Sequence, residues 1–201
     1  MSRTVDQVTI WPLRTLPKDI GVAVVVLVAL LGGLLLRWST EGSTKAYASA
    51  DNSFSVLYPA SWRTTEITDT LLLRVENPQA SSAYKTNVAV DVRELDPASP
   101  PTLQELIDRR IEQHSGQAGY HFLSSNDRTV SGLKASEIEY AFVAQPIDSP
   151  RRATLPVVAH SREYIVVAKD RIYYITLAAP ESDFATASEL FDRMLETVKV
   201  Q

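Results

Sequence analysis

Cysteine is absent from all 201 residues. That one gap excludes disulfides, thiolate metal centres, iron–sulfur clusters, thioether-bound haem and cysteine nucleophiles. Histidine and methionine are scarce, with three of the first and two of the second, Met1 included. Few side chains are therefore left to act as axial haem ligands or to build an imidazole metal site. A basic excess is missing too. Lys and Arg number 20 against 24 Asp and Glu. Four of the bases (Arg3, Arg14, Lys18, Arg37) and two of the acids (Asp6, Asp19) fall in residues 1–38, which leaves 16 against 22, a formal −6, on the rest. An acidic domain of this kind repels a phosphate backbone, so nucleic acid is not its partner. No P-loop, GxGxxG, HExxH or EF-hand loop is present, and no internal repeat.

What the chain does have is apolar content, 45% of residues, enough for a proper core. The most apolar stretch is IGVAVVVLVALLGGLLL, Ile20 to Leu36, with Asp19 before it and Arg37 after it. Seventeen uncharged residues approach the length of a membrane span, and Trp38 extends them into an interface, so residues 20–38 are expected to form one transmembrane helix. Trp11 offers a second interfacial anchor. Ala48-Ser49-Ala50 looks like a signal-peptide cleavage site, but it lies 11 residues past the last apolar position, and an uncleaved anchor is expected. Arg3, Arg14 and Lys18 before the run outweigh Arg37 and Lys45 after it. That bias places the C-terminal domain on the extracytoplasmic side of a cell membrane. Gly32 and Gly33 would let another membrane helix approach closely.

Organisation follows from these landmarks: an arm over 1–19, the span, a small polar linker STEGSTKAYASADNS over 39–53, and a globular domain over 54–201. Inside the domain, FSVLYP (Phe54 to Pro59) alternates as a short strand that Pro59 ends, and Trp62 follows to cover one end of a core. Leu71–Val75 and the alternating Val88, Val90 and Val92 are the next strands. Thr102 and Glu105 have capping-box spacing ahead of a helix with Leu103, Leu106, Ile107 and Ile111 on one face. Thr129–Leu133 and Ala135–Val143 are strands about a turn at Gly132. Residues 157–168 and 172–179 form a hairpin about Lys169-Asp170. Phe184, Ala187, Phe191, Met194 and Val198 mark a closing amphipathic helix with Ser182 as its N-cap. The order β-β-β-α-β-β-β-β-α implies an α+β fold, an antiparallel β-sheet with packed helices.

The stretch FSVLYPASWR resembles the opening of PsbP-like domains: an alternating aromatic strand, Tyr-Pro, then Trp. SGLKASEIEY (131–140), AKDRIYYITL (168–177) and SELFDRMLETVKV (188–200) are similar to the family's turn glycine and strand, late hairpin and closing helix. The family is named after an oxygen-evolving photosystem subunit and shares its fold with a nuclear Ran-binding protein. The resemblance covers about residues 51–201. It implies an α/β/α sandwich and a membrane-associated or secreted accessory domain attached to a photosynthetic or respiratory complex. It carries over no catalytic motif. The anchor in place of a plastid transit segment points to a bacterial, membrane-anchored relative.

Chemistry is sparse in the remaining residues. Glu112, His114 and His121 come close in sequence without a standard metal spacing. His160 and Ser161 are adjacent on a strand and should point to opposite faces, so they do not form a base–nucleophile pair. Asp91 with Glu94, and Glu137 with Glu139, are expected on solvated faces; the second pair would equally make a partner surface. Arg151-Arg152, between prolines on an acidic domain, would grip an acidic partner. The expectation is a non-catalytic, single-pass accessory subunit that stabilises or helps assemble an electron-transfer complex, such as a quinol-oxidising or reaction-centre complex. No cofactor, metal or catalytic residue is expected. The partners are integral-membrane subunits and the lipid bilayer, through Gly32, Gly33, Arg151 and Arg152. The alternative is a membrane-anchored extracytoplasmic module that binds a small molecule or lipid.

Overall fold

The computed structural model describes residues 17–41, 43–65, 68, 70–96, 98–144 and 155–200, with the side chains of 21–33 in the first helix. The chain divides into two units, 1–42 and Ser43–Gln201. Among its described residues the first contains one helix, α1 (Pro17–Glu41). It contains no proline after Pro17, which stands at the first helical position where its missing N–H costs nothing. Val22, Val25, Leu27, Leu30 and Leu31 are all exposed. Among the described residues no helix is long and apolar enough to cross a membrane.

The second unit runs β1 (Thr44–Ala48), β2 (Phe54–Pro59), β3 (Arg63–Thr64), β4 (Leu71–Glu76), β5 (Asn87–Glu94), α2 (Leu103–Ser115), β6 (His121–Val130), β7 (Leu133–Ala144), β8 (Val157–Val167), β9 (Arg171–Pro180), α3 (Phe184–Glu196) and β10 (Lys199–Val200). Seven strands form one antiparallel sheet in the order β3-β4-β5-β9-β8-β7-β6, and β1-β2-β10 form a second. The α+β expectation is met. One face of the large sheet carries α3 and the small sheet. Phe54, Tyr164, Tyr173, Ile175, Leu177, Phe191 and Met194 form the core there, with the Phe54 and Tyr173 rings stacked 5.4 Å apart. The other face carries α2, where Leu106 and Ile107 pack on Ile138, Tyr140, Ile165 and Tyr174. Trp62 is buried in the first core, as its place after Pro59 implied.

Several local expectations hold for local reasons. Thr102 and Glu105 make a complete capping box at the start of α2. Ala168 N–H bonds Arg171 C=O across the Lys169-Asp170 turn. Three expectations change. Thr44–Ala48, read as linker, is β1, paired along its whole length with β2. β6 starts at His121, not Thr129, because an edge strand with both sides in solvent has no apolar alternation to reveal it. The N-cap of α3 is Asp183, with no side-chain bond to the helix; the Ser182 hydroxyl bonds the Asp183 carboxylate instead.

Candidate functional site: two buried polar networks and an open groove

Strand alternation sends the charged residues of β7 and β8 to opposite faces of the sheet. Register pairs Glu137 with Tyr164 and Glu139 with Arg162 on the α3 side, and Tyr140 with Ser161 on the α2 side. Each face therefore carries a polar network under a helix.

On the α2 face the centre is Glu163, whose side chain is 0% exposed. Arg110 Nε donates to Glu163 Oε1 at 2.6 Å, and His114 Nε2 lies 2.8 Å from Oε2. Arg110 and His114 are one helical turn apart on α2, so both reach the same carboxylate. The Arg110 guanidinium also stacks over the Tyr174 ring at 4.3 Å, and the His114 ring lies 4.5 Å from that of Tyr140. Tyr140 O–H sits 3.3 Å from His114 Nε2. Burial, followed by the nearby Glu163 charge, pushes the Tyr140 phenol well above its ordinary range. A buried carboxylate is tolerated because two donors satisfy it. The arrangement fastens α2 to the sheet.

On the α3 face the centre is Glu137, 5% exposed at its side chain. Tyr164 O–H donates to Glu137 Oε2, and Arg128 donates from Nε at 3.3 Å and Nη2 at 3.2 Å. Arg162 Nε donates to Glu139 Oε1 at 2.8 Å, and its Nη1 to Asp192 Oδ1 of α3 at 3.3 Å. Burial pushes the Glu137 carboxyl up, but the bonds from Tyr164 and Arg128 and the charges of Arg128 and Arg162 outweigh it and hold the pKa below the ordinary value. The solvated stripe expected of Glu137 and Glu139 is therefore corrected. Glu137 is interior, and its burial follows from the cations and phenol that neighbouring strands place around it.

The histidines separate. His114 belongs to the Glu163 network, whereas His121 opens the exposed edge strand β6. Among the described residues no group of three His, Asp or Glu could hold a metal ion. His160 faces α3, stacked 3.7 Å from the Phe184 ring with Nδ1 3.4 Å from Glu181, while Ser161 is buried on the opposite face. They do not meet. Gly32 and Gly33 lie in α1, where an added Cβ at either would meet nothing within 4 Å. Arg151 and Arg152 fall outside the described residues.

Sequence reasoning missed a groove of about 840 Å³, open to solvent, lined by Ser49, Asp51, Thr70, Leu72, Glu94 and Arg171 among others. Arg171 pairs with Asp51 and donates to Ser53 Oγ at 2.8 Å, which closes the β1–β2 turn onto the large sheet. Hydrogen bonds from Ser49, Arg171 and Ser53 hold the Asp51 carboxyl well below the usual carboxylate range. No sequence signal joins residues 120 positions apart.

An antiparallel sheet with α2 on one face and α3 on the other, each over a polar network, is an α/β/α sandwich. The PsbP family model matches residues 42–200, and the chain belongs to the PsbP family. Among solved structures it is similar to cyanobacterial PsbP (CyanoP) from Synechocystis sp. PCC 6803, with TM-score 0.60 and 15% identity over 79% of this chain and 93% of that one. It is also similar to LpqN, involved in cell envelope biogenesis of Mycobacterium tuberculosis, with TM-score 0.57 and 7% identity over 79% and 91%. A third likeness is to the Saccharomyces cerevisiae Ran-binding protein Mog1p, with TM-score 0.50 and 13% identity over 79% and 95%. At these identities the likeness is one of fold. No curated protein sequence matches the chain.

Proposed function

We propose that this protein is a non-catalytic, single-pass membrane accessory subunit that stabilises or helps assemble a larger electron-transfer complex, photosynthetic or respiratory. One observation carries the reading: a PsbP domain matched over 42–200 follows directly on a helix, Pro17–Glu41, that contains the apolar run Ile20–Leu36. The described part of this helix falls short of a membrane span, so the reading rests on the whole run Ile20–Leu36 as the anchor; a domain so anchored has a high local concentration of docking surface for membrane partners. The domain lies on the extracytoplasmic side in this reading. Gly32 and Gly33, with open space at their Cβ positions, are the contact points for a partner helix. Arg151 and Arg152 serve an acidic surface of the same assembly. The buried acids support the reading as well, since Glu163 is taken up by Arg110 and His114 of α2, and Glu137 by Arg128 and Tyr164 of the neighbouring strands, so both are spent on structure.

Deletion of the chain tests this. Membranes without it should contain less of one assembled complex, with unchanged turnover per remaining complex. Unchanged amounts of every respiratory and photosynthetic complex would contradict the reading.

A further inference from the structure

A second pocket lies on the α2 face, beside the Glu163 network, whose Arg110 stacks over the Tyr174 ring. It measures about 300 Å³ and is lined by Arg93 and Glu94 at the end of β5, Asp96 and Ser99 after it, Arg109 of α2, and Tyr174 of β9, among others. Tyr174 is 3% exposed, yet its hydroxyl makes no hydrogen bond among the described residues. Burial pushes its phenol pKa up while Arg110, Arg93 and Arg109 pull the other way, so the group stays protonated and able to donate. Arg110 is already committed to Glu163. Arg93 and Arg109 are not: neither has an ion pair or hydrogen bond among the described residues. A phenol that opens onto the pocket without a hydrogen bond among the described residues, flanked by two guanidiniums without ion pairs, is a set of groups suited to recognising an oxyanion.

We propose that this pocket binds a singly charged oxyanion, the phosphodiester or carboxylate head of a small molecule or lipid. Arg93 and Arg109 would grip the two oxygens from β5 and α2, and Tyr174 would donate from the floor. Glu94 and Asp96 at the rim set the charge limit. Asp96 Oδ1 is partly occupied by the Ala98 N–H at 2.9 Å, but both carboxylates repel a dianion. A monoanion is therefore preferred over the phosphate dianion. The inference does not depend on the accessory-subunit reading.

The test uses the full chain in a non-ionic detergent, titrated with glycerophosphoglycerol, succinate monoester and inorganic phosphate by calorimetry. Vesicles of phosphatidylglycerol are compared with phosphatidylcholine in parallel. Saturable binding of a monoanionic probe is expected, weakened about tenfold by Arg93→Ala and by Arg109→Ala, and severalfold by Tyr174→Phe. Tyr174→Phe keeps the ring and should leave the unfolding midpoint in place, so its loss of binding is not a loss of fold. Binding to both a soluble probe and vesicles would assign a headgroup site; binding to soluble probes alone would assign a free ligand. Absence of saturation with every probe and vesicle, or binding equal to wild type in Arg109→Ala and Tyr174→Phe, overturns the proposal.

Discussion

Glu163 and His114 meet at 2.8 Å from elements 49 residues apart, with the carboxylate sealed from solvent and its second oxygen taken by Arg110. Removing one partner of a buried, satisfied ion pair leaves the others uncompensated. Glu163→Gln should therefore cost about 3 kcal/mol in denaturant unfolding, since breaking buried pairs costs roughly 3–5 kcal/mol and Arg110 keeps some access to water. Replacing Arg110 by Met in the same variant should recover part of that loss. A Glu163→Gln variant as stable as wild type would show that the network does not fasten α2.

Acid should act through Glu137. Its pKa is held below the ordinary value by Tyr164, Arg128 and Arg162 despite burial, so the folded state binds this proton less readily than the unfolded chain. The contribution to stability is full above the unfolded carboxyl pKa, about 4.3, and is lost as pH falls through the folded value. Glu137→Gln should be less stable at pH 7 and should show a shallower loss between about pH 5 and 3. Parallel pH curves for the two proteins would contradict this.

Asp91 should act in the opposite sense. Burial raises its pKa, and the nearby Glu163 charge adds to that against the pull of Arg110, Arg93 and Arg74. Its ionised form is thus penalised in the folded state, a cost that appears as pH rises through the unfolded pKa and is complete above the folded one. Asp91→Asn is expected to raise the thermal midpoint at neutral pH and to leave it unchanged near pH 3. A lower midpoint at pH 7 would overturn the assignment.

Two glycines in one loop should differ. Gly119 has φ +62, and a Cβ there would stand 2.7 Å from Val143 Cγ2, the residue whose N–H bonds Ala118 C=O. Gly119→Ala should cost about 1–2 kcal/mol, from left-handed backbone and the clash together. Gly116 ends α2 with φ −75 and open space around its Cβ. Gly116→Ala should be neutral or stabilising by up to about 1 kcal/mol. Equal midpoints for the two variants would contradict the backbone argument.

Much of the fold was legible where burial is one-sided or capping is local. Phe54, Val56 and Tyr58 alternate because one side of β2 faces the core. Thr102 and Glu105 announce α2 because capping chemistry sits within four residues. β1 and β6 were not legible, since edge strands exposed on both sides leave no period in the sequence. The polar sites were hidden for another reason. Glu137, Glu163 and Tyr174 become interior beside partners 9, 53 and 64 residues away, and no spacing records which strand a cation will reach. The PsbP-like domain was visible from Phe54–Arg63 onward, and the family match over residues 42–200 bears it out.

The central claim is that the protein is an anchored subunit of a larger complex. The direct measurement is extraction of native membranes in mild detergent, with a tag on Gln201, followed by native-gel separation and identification of what migrates with it. Co-migration with a cytochrome- or pigment-bearing complex is expected, and Gly32→Leu with Gly33→Leu should weaken it. A free monomer in every mild detergent, at wild-type levels of all such complexes, would contradict the account.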